Sequence, residues 1–187
     1  PKEKRLGRRA GTNKPTPEQK SDTDYEILPR YWVNEPDFQE QLSNLNWDRE
    51  WIFSFRNVGG AASNSRTAIG TVLPMYPCGN SAPVLTFEEG NLGDKSVLFT
   101  TIFNSFVFDF ALQQSLGGAN FNYFILKQLP MPTPESLQQT QIEIKERVNS
   151  LREFLLRRGV ELIWTSHSLD PLGESISSIN VNGPFEW

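Results

Sequence analysis

The chain has one cysteine, Cys78, one histidine, His167, and two methionines in 187 residues, and each scarcity removes a class of function. A single thiol cannot build an intramolecular disulfide framework or a multi-cysteine zinc site, and it fits a reducing cytosol. A lone histidine is far more often a surface or capping residue than a solitary base or metal ligand. No paired carboxylates stand at a spacing that suggests hydrolytic or nuclease chemistry, so no catalytic constellation emerges. Long apolar runs are missing too. The longest, 97–108, is interrupted by Thr100, Thr101, Asn104 and Ser105 and ended by Asp109, short of the roughly 20 apolar residues that cross a bilayer. No signal peptide is visible. These absences predict a cytoplasmic chain, off the membrane, with no catalytic residue, metal or cofactor of its own.

Aromatic residues make up 12% of the sequence and supply bulky filling for one main domain. The chain opens without a methionine, inside a charged tract, which predicts a piece of a longer polypeptide. Charge is unevenly spread. Residues 1–20 hold seven Lys/Arg against Glu3 and Glu18, a net of +5, and the remainder therefore sums to −9. An acidic body cannot hold DNA by charge alone; it needs a local patch, polar base contacts or another domain.

Residues 1–24 are rich in Lys, Arg, Pro and Thr and poor in large apolar side chains, which predicts a basic linker or mobile arm. The core is expected over 25–133, with a short helix or turn opened by Asn34-Glu-Pro-Asp37. Trp51, Phe53 and Phe55 alternate with Ile52, Ser54 and Arg56, the period of a half-buried strand, and Arg56 falls on the face away from the aromatics. Strands are also expected over 66–73, stopped by Pro74, and over 82–87. Asp94 is the expected N-cap of a buried helix of about 20 residues carrying Phe99, Ile102, Phe103, Phe106, Phe110 and Leu116. Gly117 is expected at its left-handed C′ position. A strand over 121–126 follows.

Thr133 as N-cap and Pro134 at the first helical position predict a second, amphipathic helix over 134–159. Its apolar stripe is Leu137, Ile144, Val148, Leu151 and Leu155, its polar side pairs Glu143 with Arg147, and Gly159 ends it. Apolar knots at 161–165 and 183–187 are expected to pack on the body from a C-terminal segment, 160–187. The expected fold is thus mixed α/β: a mixed sheet on a long buried helix, followed by an amphipathic helix.

Several ordered blocks carry a family likeness from Tyr31 onward: Arg30-Tyr-Trp-Val33, Phe55-Arg-Asn-Val58, Asn64-Ser-Arg-Thr-Ala-Ile69, Pro74 with Gly79-Asn-Ser81, Asn104-Ser-Phe-Val-Phe-Asp109, Gly117-Gly118 with Asn120-Phe-Asn-Tyr-Phe124, and Gln128-Leu-Pro130. In this order they resemble the TaqI-like C-terminal specificity domain of bacterial type IIG, Eco57I-like restriction-modification adenine-specific DNA methyltransferases. The resemblance implies a target-recognition domain that reads double-stranded DNA in the major groove. It also implies a separate methyltransferase domain of the same polypeptide that binds S-adenosylmethionine, flips an adenine and methylates N6. Where the family usually places basic residues between Asp109 and Gly117, this chain has Gln113 and Ser115, so amide hydrogen bonds from Gln113 or Gln114 replace a phosphate grip.

Candidate DNA contacts are polar groups at predicted turns: Arg56, Asn64, Ser65, Arg66, Asn80, Gln113, Gln114, Asn120 and Asn122. A guanidinium at Arg66 can clamp a phosphate or a guanine, and the asparagines can pair with adenine edges or phosphates. The competing reading is that the asparagines bond their own turns and that Arg66 pairs with an acidic neighbour. Gly117-Gly118 lacks the strand-first context of a nucleotide-binding loop, and Asn182-Gly-Pro-Phe185 differs from the Asn-Pro-Pro-aromatic signature of adenine methyltransferases by a glycine. The alternative function is a structural module that docks the methyltransferase domain without reading bases.

Overall fold

The computed structural model describes residues 15–26, 32–59, 65–144 and 147–185. The fold is mixed α/β, as expected. Helices α1 (Pro17–Ser21) and α2 (Glu35–Leu45) precede a small sheet of β1 (Trp51–Phe55), β2 (Gly70–Pro74) and β3 (Val84–Leu85). Then come α3 (Leu92–Phe103), α4 (Phe106–Ser115), α5 (Tyr123–Leu126) and α6 (Pro134–Gln139). A hairpin of β4 (Gln141–Ile144) and β5 (Arg147–Ser150) leads into α7 (Leu151–Ile163), a 3-10 turn (His167–Leu169) and α8 (Asp170–Glu174).

The three-stranded sheet has the order β2-β1-β3 and is antiparallel throughout. β1 is paired on both edges and packed into the two hydrophobic clusters, and all five of its residues are buried. Period-2 alternation thus located the strand but not its environment. Phe53 and Phe55 enter a phenylalanine cluster with Phe103, Phe108 and Phe121, while Ile52 joins a second cluster with Val97, Leu156, Val160 and Trp164. The phenylalanines meet at offset and edge geometries, with Phe53 and Phe99 centroids 4.9 Å apart, which adds to area burial. Ser54, the polar member of β1, donates to the Pro83 carbonyl at 3.1 Å.

Both outer strands have their open edges capped by side chains. Arg56 N–H bonds the Ile69 carbonyl and Met75 N–H bonds the Glu50 carbonyl, each at 2.9 Å. Odd-numbered residues of β2 therefore face β1, and Gly70 points outward. Asn104 meets it there. Its Oδ1 accepts Gly70 N–H at 3.1 Å and its Nδ2 donates to Gly70 O at 2.7 Å. On the opposite edge the Tyr123 hydroxyl donates to Val84 O at 2.9 Å. Side chains in these positions close edges that otherwise invite pairing with another chain.

The cap at Gly70 explains why one expected 20-residue helix is two. Asn91, not Asp94, is the N-cap, its side chain accepting Asp94 N–H at 3.0 Å. The helix then stops at Asn104, and Ser105 starts α4 by accepting Phe108 N–H at 3.2 Å. The axes bend by 67°. Local capping hydrogen bonds outcompete helix continuation at an Asn-Ser pair. No single helix among the described residues is long and apolar enough to cross a membrane.

Other expectations change for similar local reasons. The 66–73 and 82–87 segments contribute strand only at 70–73 and 84–85, and Pro74, expected to stop the first strand, is instead its last residue, paired with Trp51. Leu116 ends α4 in an extended conformation, so Gly117 is not a left-handed cap. The 121–126 segment is helical at its end because Asn122 caps it, accepting Ile125 N–H at 3.2 Å. Thr133 and Pro134 do start a helix, α6, but it ends at Gln139. The 134–159 segment is a helix, a hairpin and the first two-thirds of α7. Glu143 and Arg147 accordingly lie on opposite hairpin strands, with Ile144 paired to Arg147.

Gly159 does not end α7 but serves its packing. A side chain there would overlap Thr101 Oγ1 and approach Val97 Cγ1 to 2.7 Å, so the absent Cβ lets α7 and α3 lie close. Asp94 and Arg152 join the same helices by an ion pair of 2.7 Å, with Asp94 also accepting Ser177 N–H at 3.3 Å. Ile163 and Trp164 are buried and Phe185 packs against them, as expected of the two apolar knots. Within the stretch expected as a mobile arm, α1 forms around a Thr16–Gln19 capping box and buries no residue. The basic tract 1–14 and the Arg30-Tyr31 part of the first block lie outside the described residues.

Candidate nucleic-acid interface

The candidate residues gather at one rim of the molecule, around the C-terminal end of β1. Beyond Phe55 the chain continues through Arg56, Asn57 and Gly59, and each bonds a different neighbour. Arg56 N–H binds Ile69 O at 2.9 Å, Asn57 N–H binds Ser81 O at 3.0 Å, and Gly59 N–H binds Ala119 O at 3.0 Å. Phe121 N–H returns to Asn57 O at 2.7 Å, and Val58 bridges Asn120. Three loops far apart in sequence are thereby laid side by side: 65–69, 79–82 and 117–122.

Asp109 ties α4 to the first of these loops. Buried to 4% exposure, its carboxylate accepts the N–H groups of Thr67 at 2.8 Å and Ala68 at 2.6 Å, and Gln113 Nε2 at 3.0 Å. Charge-assisted bonds of this kind are about twice as strong as neutral ones. Arg66 adds to the knot: its Nη2 donates to Asn104 O and, at 3.5 Å, to Ala68 O. Its Nε lies 3.9 Å from Asp109, and its guanidinium stands over the Phe106 ring at 5.0 Å.

The residues proposed from sequence separate here into holders and exposed groups. Arg56 is a holder: its Nη2 donates to Arg66 O at 2.5 Å, and the guanidinium lies against Gly59 where a side chain would fall. Arg66 pairs with an acidic neighbour, the reading that competed with DNA contact. Gln113 is engaged by Asp109, and Asn122 by its cap. Ser65, Asn80, Gln114 and Asn120 are exposed on the rim, and Asn80 lends only its backbone carbonyl, to Asn57 Nδ2 at 3.1 Å. Asn64 lies outside the described residues.

What the sequence missed is apolar. Phe106, Val107 and Phe110 are exposed at 79%, 81% and 65%, although the helical periodicity assigned Phe106 and Phe110 to the buried face. Phe124 is also exposed, at 75%. The signal was present: five apolar residues out of six from Phe106 to Ala111 exceed what one face of a helix can bury. Exposed large apolar clusters mark interaction surfaces. Behind Val107, an apolar cleft of about 380 Å³ runs between α4, α6 and the start of α7, with Ile102, Phe108, Pro132 and Leu155 in its wall.

Cys78, near the rim, is half-buried, and burial pushes its thiol up, away from the reactive thiolate. Gly117 and Gly118 stand in open space with ordinary φ. Among the described residues no group of three or more His, Cys, Asp or Glu is arranged to hold a metal ion. No family model, curated protein or solved structure matches the chain.

Proposed function

We propose that this chain is the DNA sequence-recognition module of a larger, cytoplasmic adenine-N6 DNA methyltransferase of a restriction-modification system. In this reading the module is non-catalytic. S-adenosylmethionine binding and methyl transfer belong to the rest of the parent polypeptide, and the partners are double-stranded DNA and that methyltransferase domain. The observation that carries the reading is the convergence of the blocks at 65–69, 79–81, 104–109 and 117–124 on one rim around Asn57 and Asp109. The same residues that carry the family likeness build a platform of loops and helix ends joined by hydrogen bonds, the kind of support that base-reading side chains require.

Because Arg56 and Arg66 are occupied within the fold, Ser65, Asn80, Gln114 and Asn120 are left as the hydrogen-bonding groups for base edges. Phe106 and Phe110 supply apolar contact beside them. An amide such as Gln114 matches adenine N6 and N7 by donating to one and accepting from the other. The acidic body makes non-specific binding weak and leaves affinity to base contacts and to the parent enzyme.

A second reading, docking of the methyltransferase domain without base reading, is favoured by the exposed Phe106, Val107 and Phe110 and the adjoining cleft. Exchanging residues 32–185 for the corresponding segment of a methyltransferase with another site preference, then sequencing the methylated adenines, separates the two. Preference should travel with the segment. If it stays with the remainder of the enzyme, docking is the module's role.

A further inference from the structure

Helix α4 turns a face to solvent that its neighbours leave uncovered. Its axis bends 67° from that of α3 after Asn104. At about 100° per residue, Phe106, Val107, Phe110 and Gln114 share one side of the helix, and all four are exposed. Phe108, Asp109 and Leu112 are buried on the other side.

The chemistry of the open face is narrow. It carries no charged side chain, because the one acid of α4, Asp109, is turned inward and held by the Thr67 and Ala68 N–H groups. The charge at its edge is positive: the partly exposed Arg66 guanidinium stands over the Phe106 ring at 5.0 Å. On a chain of net charge −4, an acid-free apolar face edged by a cation complements a polyanion that displays methyl groups.

Duplex DNA is such a partner. Its major groove, roughly 12 Å wide, admits one helix, and the ten residues of α4 run about 15 Å. Thymine displays its C5 methyl group there, the apolar group of the base-pair edges, and adenine displays N6 and N7, which one amide can satisfy. Guanine O6 and N7 would instead lose water against phenyl rings that offer no donor in return. Given the DNA-recognition role proposed above, on which this rests, we propose that α4 enters the major groove and selects A·T pairs. Phe106, Val107 and Phe110 lie against thymine methyl groups, and the Gln114 amide pairs with adenine.

Thymine and deoxyuridine differ by that methyl group alone. A fluorescence-anisotropy titration with duplexes enriched on the chain from a random pool, repeated with deoxyuridine at each thymine, therefore reads the contact. Enriched duplexes should share A·T pairs, and wild-type affinity should fall about fourfold for each contacted methyl group removed, the worth of one buried CH₂. Val107→Ala and Phe110→Ala should weaken binding to the thymine duplex and shrink its advantage over the deoxyuridine duplex. A substitution that only disturbed the fold would weaken both duplexes alike and keep their ratio. Selective binding with equal affinity for the two duplexes, or with the wild-type ratio kept in both variants, overturns the groove assignment and leaves the face to a protein partner, while DNA recognition stands. If no duplex is enriched or bound, DNA recognition falls and the assignment falls with it.

Discussion

Asn104 stands beside Gly70 as the next strand of the sheet would, accepting its N–H at 3.1 Å and donating to its carbonyl at 2.7 Å. The same amide nitrogen reaches Thr100 O at 2.8 Å, closing α3. One side chain thus ends a helix, caps an edge strand and leaves Asn104 O facing the Arg66 guanidinium.

Asn104→Ala should therefore destabilise the fold by about 2–3 kcal/mol, since three hydrogen bonds of roughly 1 kcal/mol each are lost. Asn104→Asp should do no better, because a carboxylate cannot donate to Gly70 O. Urea denaturation followed by far-ultraviolet circular dichroism measures both; an unshifted midpoint for either substitution contradicts the edge-cap role.

Asp109→Ala should cost about 2–4 kcal/mol, because the N–H groups of Thr67 and Ala68 are left buried without an acceptor and Arg66 loses its neighbouring charge. Asp109→Asn keeps one acceptor oxygen and should cost clearly less. Arg66→Ala should also lower the denaturation midpoint, a result a purely DNA-facing arginine would not give.

Gly159→Ala should destabilise by about 1–3 kcal/mol even though alanine favours a helix over glycine by about 1 kcal/mol, because the new methyl group overlaps Thr101 and Val97. A midpoint raised by the substitution would show that α3 and α7 have room between them.

Arg152→Met should be more damaging than the double change Asp94→Asn with Arg152→Met. The single change strands a carboxylate of 1% exposure, at a cost of about 3–5 kcal/mol, whereas the pair removes the charge as well. Equal losses in the single and double variants would mean that Asp94 does not depend on Arg152.

How far the sequence carried depended on whether a residue's nearest partners in sequence were its partners in space. Thr133-Pro134 and the 51–55 alternation located a helix start and a strand because both are local signals. The Asn104-Ser105 break was hidden, because apolar periodicity runs through it and the reason for stopping, Gly70, is 34 residues away. Gly159 resembled a helix end because the close approach of Val97 and Thr101 has no trace in its own segment. At the rim, the block residues were legible as a group, but their division of labour was not. Arg66 looked free until Asp109 and Asn104 came to it through tertiary structure, and Phe106 and Phe110 looked buried until Asn104 turned the helix by 67°.

Sequence recognition by this chain is measured by titrating it with duplexes enriched on it from a random pool, and repeating the titration with Gln114→Ala. Saturable binding to enriched duplexes should be tighter than to unselected ones, the latter on the order of 10⁻⁴ to 10⁻⁶ M at moderate salt. Gln114→Ala should weaken the enriched complex by roughly 1–3 kcal/mol while leaving the denaturation midpoint unchanged. No enrichment, together with no binding even at low salt, would contradict sequence recognition by this chain.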